Sequence, residues 1–187
     1  TIILAADGYL RETRKQQHFV VNLSTSMAID KLARIHNCKV SRSAVGEINV
    51  VNKMNDINSE FGGEGNGGVI LRESHLGRDS LVAATLVLNR MSQSDIAISA
   101  VHSTLPSFKI IKDKISVKGI DFEEIIEKIN FQFKDAILEK IDGYKFSWDD
   151  KWIHIRKSNT EPIIRIYAEA QEQKYAIDLV KKIKSLV

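Results

Sequence analysis

The chain has 187 residues, of which 43% are hydrophobic and 27% charged, and its formal net charge is +3. These values are typical of a globular protein and exclude a disordered or fibrous chain. The charge is too small to indicate nucleic acid or a membrane surface as a partner. No apolar run approaches the roughly 20 residues that cross a bilayer. Because the single cysteine, Cys38, cannot form an internal disulfide, we expect a reducing compartment and a cytoplasmic protein.

Strand and helix signals alternate from the start of the chain, as is typical of α/β units. Residues 18–23 form a short apolar run that predicts a buried strand. Residues 24–26 offer hydroxyl groups that can cap a following helix, and residues 38–40 predict the next strand. Gly46 precedes another helical stretch, which ends before the glycine-rich residues 62–68.

A long helix is predicted after residues 69–71, which have an extended pattern. Asp79 is its expected N-cap, and the helix continues to Met91. Its apolar side is expected to consist of Leu81, Val82, Leu86, Val87 and Leu88. A shorter helix is predicted from Ser94. The pattern breaks at Leu105 and Pro106, and since proline disfavours a helical conformation in the residue before it, we place a domain boundary there.

The second part of the chain predicts an α+β domain. Strands are expected near residues 108–117, and Asp121 begins a helix with Glu124 at the capping-box position. A turn is expected at Asp142 and Gly143, and residues 152–156 alternate like a strand that is covered on one side. A further strand and a final helix follow. The predicted domains are residues 1–105 and residues 106–187.

Residues 156–165, with the sequence RKSNTEPIIR, indicate a loop that binds an anion. Ser158, Asn159 and Thr160 follow one another between Arg156 and Arg165. Hydroxyl, amide and backbone N–H groups can donate to phosphate oxygens, and guanidinium groups supply charge and a matching fork geometry. Because the loop joins two predicted strands, both arginines can converge on one ligand. The alternative is a polar hairpin whose turn side chains bond their own backbone.

Residues 62–68, with the sequence GGEGNGG, hold five of the ten glycines. Since glycine allows positive φ and close approach of the backbone to a ligand, they predict a tight, exposed loop that presents Glu64 and Asn66. A carboxylate and an amide suit a polyhydroxylated ligand. The segment is neither a GxGxxG motif that opens a long helix nor a P-loop. The alternative is a flexible hairpin. His75 and Arg78 follow closely enough to line the same cleft.

In this order, GGEGNGG and RKSNTEPIIRIYAEA resemble two motifs in the C-terminal half of the α-D-phosphohexomutases. This family includes phosphoglucomutase, phosphomannomutase and phosphoglucosamine mutase. Residues 43–46 (SAVG) and 77–79 (GRD) are similar to two shorter elements of the family. The resemblance therefore extends over almost the whole chain.

The resemblance implies binding roles for the residues of both motifs. In the family a GGExSGH-type loop contacts the sugar hydroxyls, which assigns Glu64, Gly65 and Asn66 to the sugar. An RxSNTEP-type loop binds the substrate phosphate, which assigns to it Arg156, Ser158, Asn159, Thr160 and Arg165. No catalytic or metal-binding residue follows from these motifs. Asn66 and Gly68 stand where the family frequently has serine and histidine, a variant associated with archaeal-type members.

The resemblance also implies a fold and a set of cofactors. We expect an α/β domain with a mixed sheet and flanking helices, then a smaller α+β domain that resembles the TATA-binding protein, as domains 3 and 4 of the family. The family's phosphoserine segment (TASHNP) and metal segment (DxDxDR) have no counterpart in the sequence. We expect the chain to begin just after the metal segment, as an excised or truncated piece. The complete enzyme would need Mg²⁺ and a hexose 1,6-bisphosphate, and no motif of this chain binds them.

The resemblance predicts the C-terminal part of a phosphohexomutase, inactive alone, which binds a hexose or aminohexose phosphate. Its expected partner is the N-terminal half, with domains 1 and 2, which carries the phosphoserine and the metal site. Nucleic acid and membranes are not expected as partners. Two alternatives are half of a split phosphoglucosamine mutase and a non-catalytic module that binds phosphosugars.

Overall fold

The computed structural model describes residues 1–93, 96–116, 121–158 and 161–186. They divide into two compact units, Thr1–Ser107 and Phe108–Val187. Ser94, where the sequence predicted the start of a short helix, lies outside the described residues. Within the described ranges, no helix combines the length and apolarity needed to cross a bilayer.

The first unit is an α/β domain. Its elements in chain order are α1 (Ile2–Thr13), β1 (His18–Asn22), α2 (Ala28–Ile35), β2 (Lys39–Ser43), α3 (Glu47–Asp56), β3 (Phe61–Gly63), β4 (Val69–Leu71), α4 (Ser80–Ser92) and α5 (Ile98–Ser103). The sheet has the order β2-β1-β3-β4. β1 pairs in parallel with β2 and with β3, and β4 is antiparallel to β3. The sheet is therefore mixed, as predicted.

Helices cover both faces of this sheet, because alternate residues of β1 enter two different cores. Phe19 and Val21 pack in a cluster with apolar residues of α1, α2 and α4. Val20, between them, packs with Val50 and Met54 of α3. The result is a sheet enclosed between α3 on one side and three helices on the other.

The predicted N-cap of α4 is confirmed, but its predicted apolar side is partly wrong. The Asp79 carboxylate accepts hydrogen bonds from two backbone N–H groups of the first turn. Leu81 and Leu88, expected in the core, are 78% and 63% exposed. The buried stripe of α4 instead includes Arg90, whose Nε donates to Asp7 Oδ2 of α1 at 2.5 Å. Since Asp7 is fully buried, this charge pair lies within the contact between α1 and α4, beside the apolar residues Ala83 and Leu86.

The second unit is an α+β domain built on a five-stranded sheet. Its elements are β5 (Lys109–Ser116), α6 (Phe122–Gln132), β6 (Ile137–Glu139), β7 (Tyr144–Ser147), β8 (Lys151–Lys157), β9 (Ile163–Ala170) and α7 (Gln173–Lys184). The strand order is β5-β9-β8-β7-β6, and all neighbours are antiparallel. Asp121 caps α6 as predicted, because its carboxylate accepts from the N–H groups of Glu123 and Glu124.

One face of this sheet packs against the two helices. Ile153, Ile155, Ile164 and Ile166 of β8 and β9 belong to one core with the apolar residues of α6 and α7. The other face carries mainly polar and charged side chains, and we call it the polar face; its residues on the three strands β5, β9 and β8 are Ile110, Lys112, Lys114, Arg165, Tyr167, Glu169, Trp152, His154 and Arg156.

The strand β8 differs from its prediction. Residues 152–156 were expected to be covered on one side, yet Trp152 and His154, on the polar face, are as buried as Ile153 and Ile155. Trp152 Nε1 donates to the buried carboxylate of Glu169 at 2.5 Å. Hydrogen bonding therefore allows polar side chains on this face to be buried. The predicted sequence of folds, an α/β domain followed by a smaller α+β domain, is confirmed.

Candidate functional site

Glu64 lies at the edge of the first sheet where β1, β2 and β3 end. Parallel strands bring their carboxyl ends to the same edge, which is where open α/β sheets bind ligands. Asn22, the last residue of β1, donates its Nδ2 hydrogen to Glu64 Oε1 at 2.7 Å. The backbone N–H of Gly46 donates to the same oxygen at 3.1 Å. The orientation of Asn22 is fixed in turn by Thr25, whose hydroxyl donates to Asn22 Oδ1 at 2.8 Å.

The Glu64 carboxylate is buried, whereas the sequence predicted it on an exposed loop. It is only 3% exposed, because donors from the ends of β1 and β2 converge on it. Oε1 accepts two hydrogen bonds from the protein. Among the described residues, Oε2 has one charged neighbour, Arg78 Nη1, at 3.4 Å. The two oxygens therefore differ: Oε1 is structural, and Oε2 faces a half-exposed cation with which a ligand can compete.

The tip of the glycine loop is a tight turn. The N–H of Glu64 donates to Gly68 O at 2.8 Å, and the N–H of Gly67 donates to Glu64 O at 3.1 Å. Gly65 and Asn66 are exposed at this tip. Asn66 Oδ1 accepts from the Gly68 N–H at 3.3 Å. Since this bond uses the oxygen of the side chain, the Asn66 amide nitrogen can donate to a ligand.

Arg78 forms a wall beside this turn. Its side chain crosses Gly68 so closely that a Cβ on Gly68 would lie 2.2 Å from Arg78 Cδ. Its Nε donates to Glu47 Oε2 at 2.8 Å, and its backbone N–H donates to Glu47 Oε1 at 2.7 Å. The backbone hydrogen bond, and then the guanidinium, hold the pKa of Glu47 below its ordinary value. Because Gly68 has no side chain, Arg78 can lie between the carboxylates of Glu47 and Glu64.

The sequence reasoning missed two of these residues. Asn22 had a signal, since a polar residue that ends a buried strand faces the ligand-binding edge of a parallel sheet. Glu47 had none, because its partner Arg78 is 31 residues further along the chain. His75, named with Arg78 as a possible cleft residue, has its Nδ1 3.7 Å from Asp79 Oδ2.

The predicted anion loop connects β8 and β9 in the second unit. Arg156 of β8 is paired directly with Arg165 of β9, so their side chains leave the same face of the sheet side by side. Arg156 Nη1 lies 3.8 Å from Asp142 Oδ2. Arg165 Nη2 donates to Glu161 Oε2 at 3.1 Å. Tyr167 and then Glu161 raise the pKa of Arg165, so this guanidinium group is cationic at any physiological pH.

The two guanidinium groups are incompletely satisfied. Their Nε atoms are buried, and neither has a hydrogen-bond partner among the described residues. Buried donors are normally paired, so each of these arginines keeps one donor unsatisfied. Ser158 continues from β8, and its backbone N–H donates to Ile163 O at 2.9 Å. Asn159 and Thr160 lie outside the described residues, and their assignment to the phosphate stays a prediction.

A glycine in the predicted turn before β7 leaves space for Arg156. Gly143 has φ +67, and a Cβ there would lie 2.4 Å from Ile155 O and 2.6 Å from Arg156 Cβ. Any larger residue would strain the backbone and displace Arg156. The expected turn at Asp142 and Gly143 therefore also shapes the anion site.

A cavity of about 910 Å³ in the first unit lies apart from the predicted ligand-binding residues. Its lining includes Arg11, Arg14, His36 and Arg90. None of the predicted ligand-binding residues lines it. In the described part of the chain, no group of three or more His, Cys, Asp or Glu side chains could hold a metal ion. The described residues therefore contain no cluster that fits the Mg²⁺ that the resemblance implies for the complete enzyme.

Comparisons with known proteins cover both units. The model of the α/β/α domain III of phosphoglucomutase/phosphomannomutase matches residues 1–108, and that of the C-terminal domain matches residues 112–185. The phosphoglucomutase/phosphomannomutase of Thermococcus kodakarensis is 34% identical over 94% of this chain and 39% of its own length. The phosphoglucosamine mutase of Methanococcus aeolicus is 30% identical over 93% of this chain and 39% of its own length.

A solved structure has the same fold. The phosphoglucomutase/phosphomannomutase family protein from Burkholderia thailandensis superposes with a TM-score of 0.78 at 18% identity, over 99% of this chain and 40% of that one. The chain thus spans about 39% of the length of the relatives named above. Because two consecutive domain models of one family together match nearly all its residues, the chain belongs to the phosphoglucomutase/phosphomannomutase family of α-D-phosphohexomutases.

Proposed function

We propose that this chain supplies the sugar-binding and phosphate-binding domains of a phosphohexomutase. Such an enzyme interconverts hexose 1-phosphates and hexose 6-phosphates through a hexose 1,6-bisphosphate. In this proposal residues 1–105 are the sugar-binding domain and residues 106–187 the phosphate-binding domain. The first contacts sugar hydroxyls through Glu64, Gly65 and Asn66. The second holds the phosphate that does not react, through Arg156, Ser158, Asn159, Thr160 and Arg165.

The pair of Arg156 and Arg165 is the observation that carries the proposal. Two like charges directly opposite each other in a sheet are destabilising, and the two Nε atoms have no partner among the described residues. A phosphate group would relieve the repulsion, since its oxygens accept from guanidinium donors and its charge offsets theirs.

Glu64 supports the sugar half of the proposal. Its Oε2 lies 3.4 Å from Arg78 Nη1, a distance at which the charge interaction leaves the oxygen free to accept a sugar hydroxyl. The exposed Asn66 amide beside it can donate to a second hydroxyl. None of these residues acts as an acid, a base or a nucleophile. They position the substrate, and positioning accounts for a large part of such catalysis.

The chemical step belongs to other domains in this proposal. The N-terminal half of the complete enzyme, domains 1 and 2, would carry the phosphoserine and hold Mg²⁺, which offsets charge during phosphoryl transfer. The substrate class is a hexose or aminohexose phosphate. The aminohexose alternative is favoured by the relative from Methanococcus aeolicus, which is named a phosphoglucosamine mutase.

Calorimetric titration of the chain tests the binding function. Glucose 1-phosphate and glucosamine 6-phosphate should each bind weakly, and Arg156→Ala should abolish the binding. Lys128→Ala is the matched control, because Lys128 is a half-exposed lysine on α6 that pairs with Glu124. Absence of binding by the unmodified chain, or equal loss in both variants, would contradict the proposal.

A fusion of this chain to domains 1 and 2 of the Thermococcus kodakarensis relative tests the catalytic context. The fusion should convert glucose 1-phosphate to glucose 6-phosphate, or the corresponding glucosamine phosphates, and Arg156→Ala should lower kcat/KM in it. A folded fusion that binds sugar phosphate but converts neither substrate would favour a non-catalytic phosphosugar-binding module.

A further inference from the structure

A third cation extends the pair of arginines to the edge of the sheet. Lys114 of β5 is paired directly with Arg165, which is itself paired with Arg156. Directly opposed residues of antiparallel strands share a face, with Cβ atoms roughly 5 Å apart. Three cationic side chains therefore form one row across β5, β9 and β8, on the polar face.

The row has more positive charge than its surroundings offset. Arg165 has Glu161 and Arg156 has the more distant Asp142. The Lys114 ammonium has no acidic partner within the described ranges. Its neighbour Asp113 points its carboxylate to the helix side of β5, where Lys184 Nζ lies 2.9 Å away.

The surface between Lys114 and Arg165 is concave. A cleft of about 380 Å³ is lined by Lys112, Asp113, Lys114, Arg165 and Tyr167, with Glu161 and Ile163 at the side of the loop. Lys112 adds further positive potential, with its Nζ 5.3 Å from the centre of the Tyr167 ring. Lys114 and Arg165 thus share one concave surface, and Arg165 is itself adjacent to Arg156 on the next strand.

We propose that Lys114 is a third phosphate-binding residue, which donates from its ammonium to an oxygen of the phosphate held by Arg156 and Arg165. This inference rests on the proposed phosphate site and widens it from the β8–β9 loop to the edge strand β5. The guanidinium forks fix the orientation of the phosphate, and the flexible lysine adds a point charge from the third side. The two arginines are balanced by the carboxylates of Asp142 and Glu161, so Lys114 supplies the positive charge in excess that a phosphate can neutralise.

Inorganic phosphate binding to the unmodified full chain and to four variants tests this role. Lys114→Gln should raise the dissociation constant about fivefold, because a half-exposed ion pair contributes about 1 kcal/mol. Lys114→Arg should restore most of the affinity. Lys109→Gln, the same change on the helix side of the same strand, should bind as the unmodified chain does.

The thermal midpoint without phosphate separates binding from a structural role. Removing one of three like charges should leave the midpoint of Lys114→Gln unchanged or raise it. A lowered midpoint that Lys114→Arg does not restore would overturn the inference. If Lys114→Gln binds phosphate normally while Arg156→Gln does not, the inference fails and the phosphate site stands. If the unmodified chain binds no phosphate, both fail.

Discussion

Arg156 and Arg165 face each other across neighbouring antiparallel strands, and each has a buried Nε without a partner among the described residues. Salt bridges to Asp142 and Glu161 occupy the ends of the guanidinium groups, at 3.8 Å and 3.1 Å. These ion pairs partly offset the repulsion between the two arginines. The strand register therefore brings together the two guanidinium groups that we propose to bind phosphate.

Phosphate should stabilise the chain more than chloride does at the same ionic strength. Chloride only screens the repulsion between the arginines, whereas bound phosphate adds binding energy, about 1.4 kcal/mol at ten times the dissociation constant. Differential scanning calorimetry should show a midpoint a few degrees higher in phosphate. The difference should disappear in Arg165→Gln and persist in Lys174→Gln, an exposed lysine of α7. Equal midpoints in both salts would argue against a specific anion site.

Replacing Glu64 should impair both stability and sugar-phosphate binding, to different degrees. Glu64→Ala leaves the Asn22 amide and the Gly46 N–H without their acceptor and should cost about 1–3 kcal/mol. Glu64→Gln retains an acceptor oxygen for them and should cost less, although it loses the attraction to Arg78. Urea denaturation measures the stability order. Calorimetry with glucose 1-phosphate should show weaker binding in both variants, and normal affinity in Glu64→Gln would mean that the charge is not used.

Gly68→Ala should act through Arg78. The new Cβ would overlap the Arg78 side chain, 2.2 Å from Cδ, and displace it from Glu47 and Glu64. We expect the free energy of unfolding to decrease by about 1 kcal/mol or more, because the substitution crowds the Arg78 side chain and disturbs its two ion pairs. In an Arg78→Ala background the same substitution should be nearly neutral, because the space is then empty. A double-mutant cycle measures this coupling, and additive effects of the two substitutions would contradict it.

The stability of the second unit should fall as the pH decreases below the ordinary pKa of a histidine side chain. Burial, above all, lowers the pKa of His154, which is 1% exposed and has Nε2 2.6 Å from the Asp142 carbonyl oxygen. The unfolded chain therefore binds a proton first, at a pH near 6.5, and stability is lost from there downward until His154 itself titrates, by at most about 1.4 kcal/mol per pH unit.

Urea denaturation at several pH values, followed by tryptophan fluorescence, measures this dependence. Both tryptophans, Trp148 and Trp152, lie in the second unit, so the signal reports on that unit. His154→Gln should flatten the decline below pH 6.5, whatever its effect on absolute stability. His18→Gln, in the first unit, serves as the comparison. It should leave unchanged the pH dependence of the free energy of unfolding that is measured by fluorescence. If both variants show the same pH dependence of unfolding as the unmodified chain, His154 is not its cause.

Local signals in the sequence were sufficient for most helices and strands. Asp79 and Asp121 each precede a helix and accept from its first N–H groups, since capping depends on residues that are close in the chain. The buried side of α4 could not be predicted in this way. Arg90 is buried because Asp7 is buried 83 residues earlier, and hydrophobic periodicity has no means of representing such a pair.

The site was predictable by residue type but not by environment. The two sequence motifs are sufficient to name Glu64, Arg156 and Arg165 as candidate binding residues. The burial of Glu64 depends on Asn22 and Gly46, which belong to other strand ends. The opposition of the arginines depends on the register of β8 and β9, which the spacing of residues in one loop does not determine.

The same register has a consequence for folding accuracy. Because side chains alternate along a strand, slipping β8 by one residue relative to its sheet would turn Arg156 toward the apolar core under α6 and α7 and expose Ile155 instead. Burying an unpaired guanidinium in that core is strongly unfavourable. An arginine that we propose to bind phosphate thus also penalises misaligned hairpins, so selection for that function would at the same time protect the chain from misfolding.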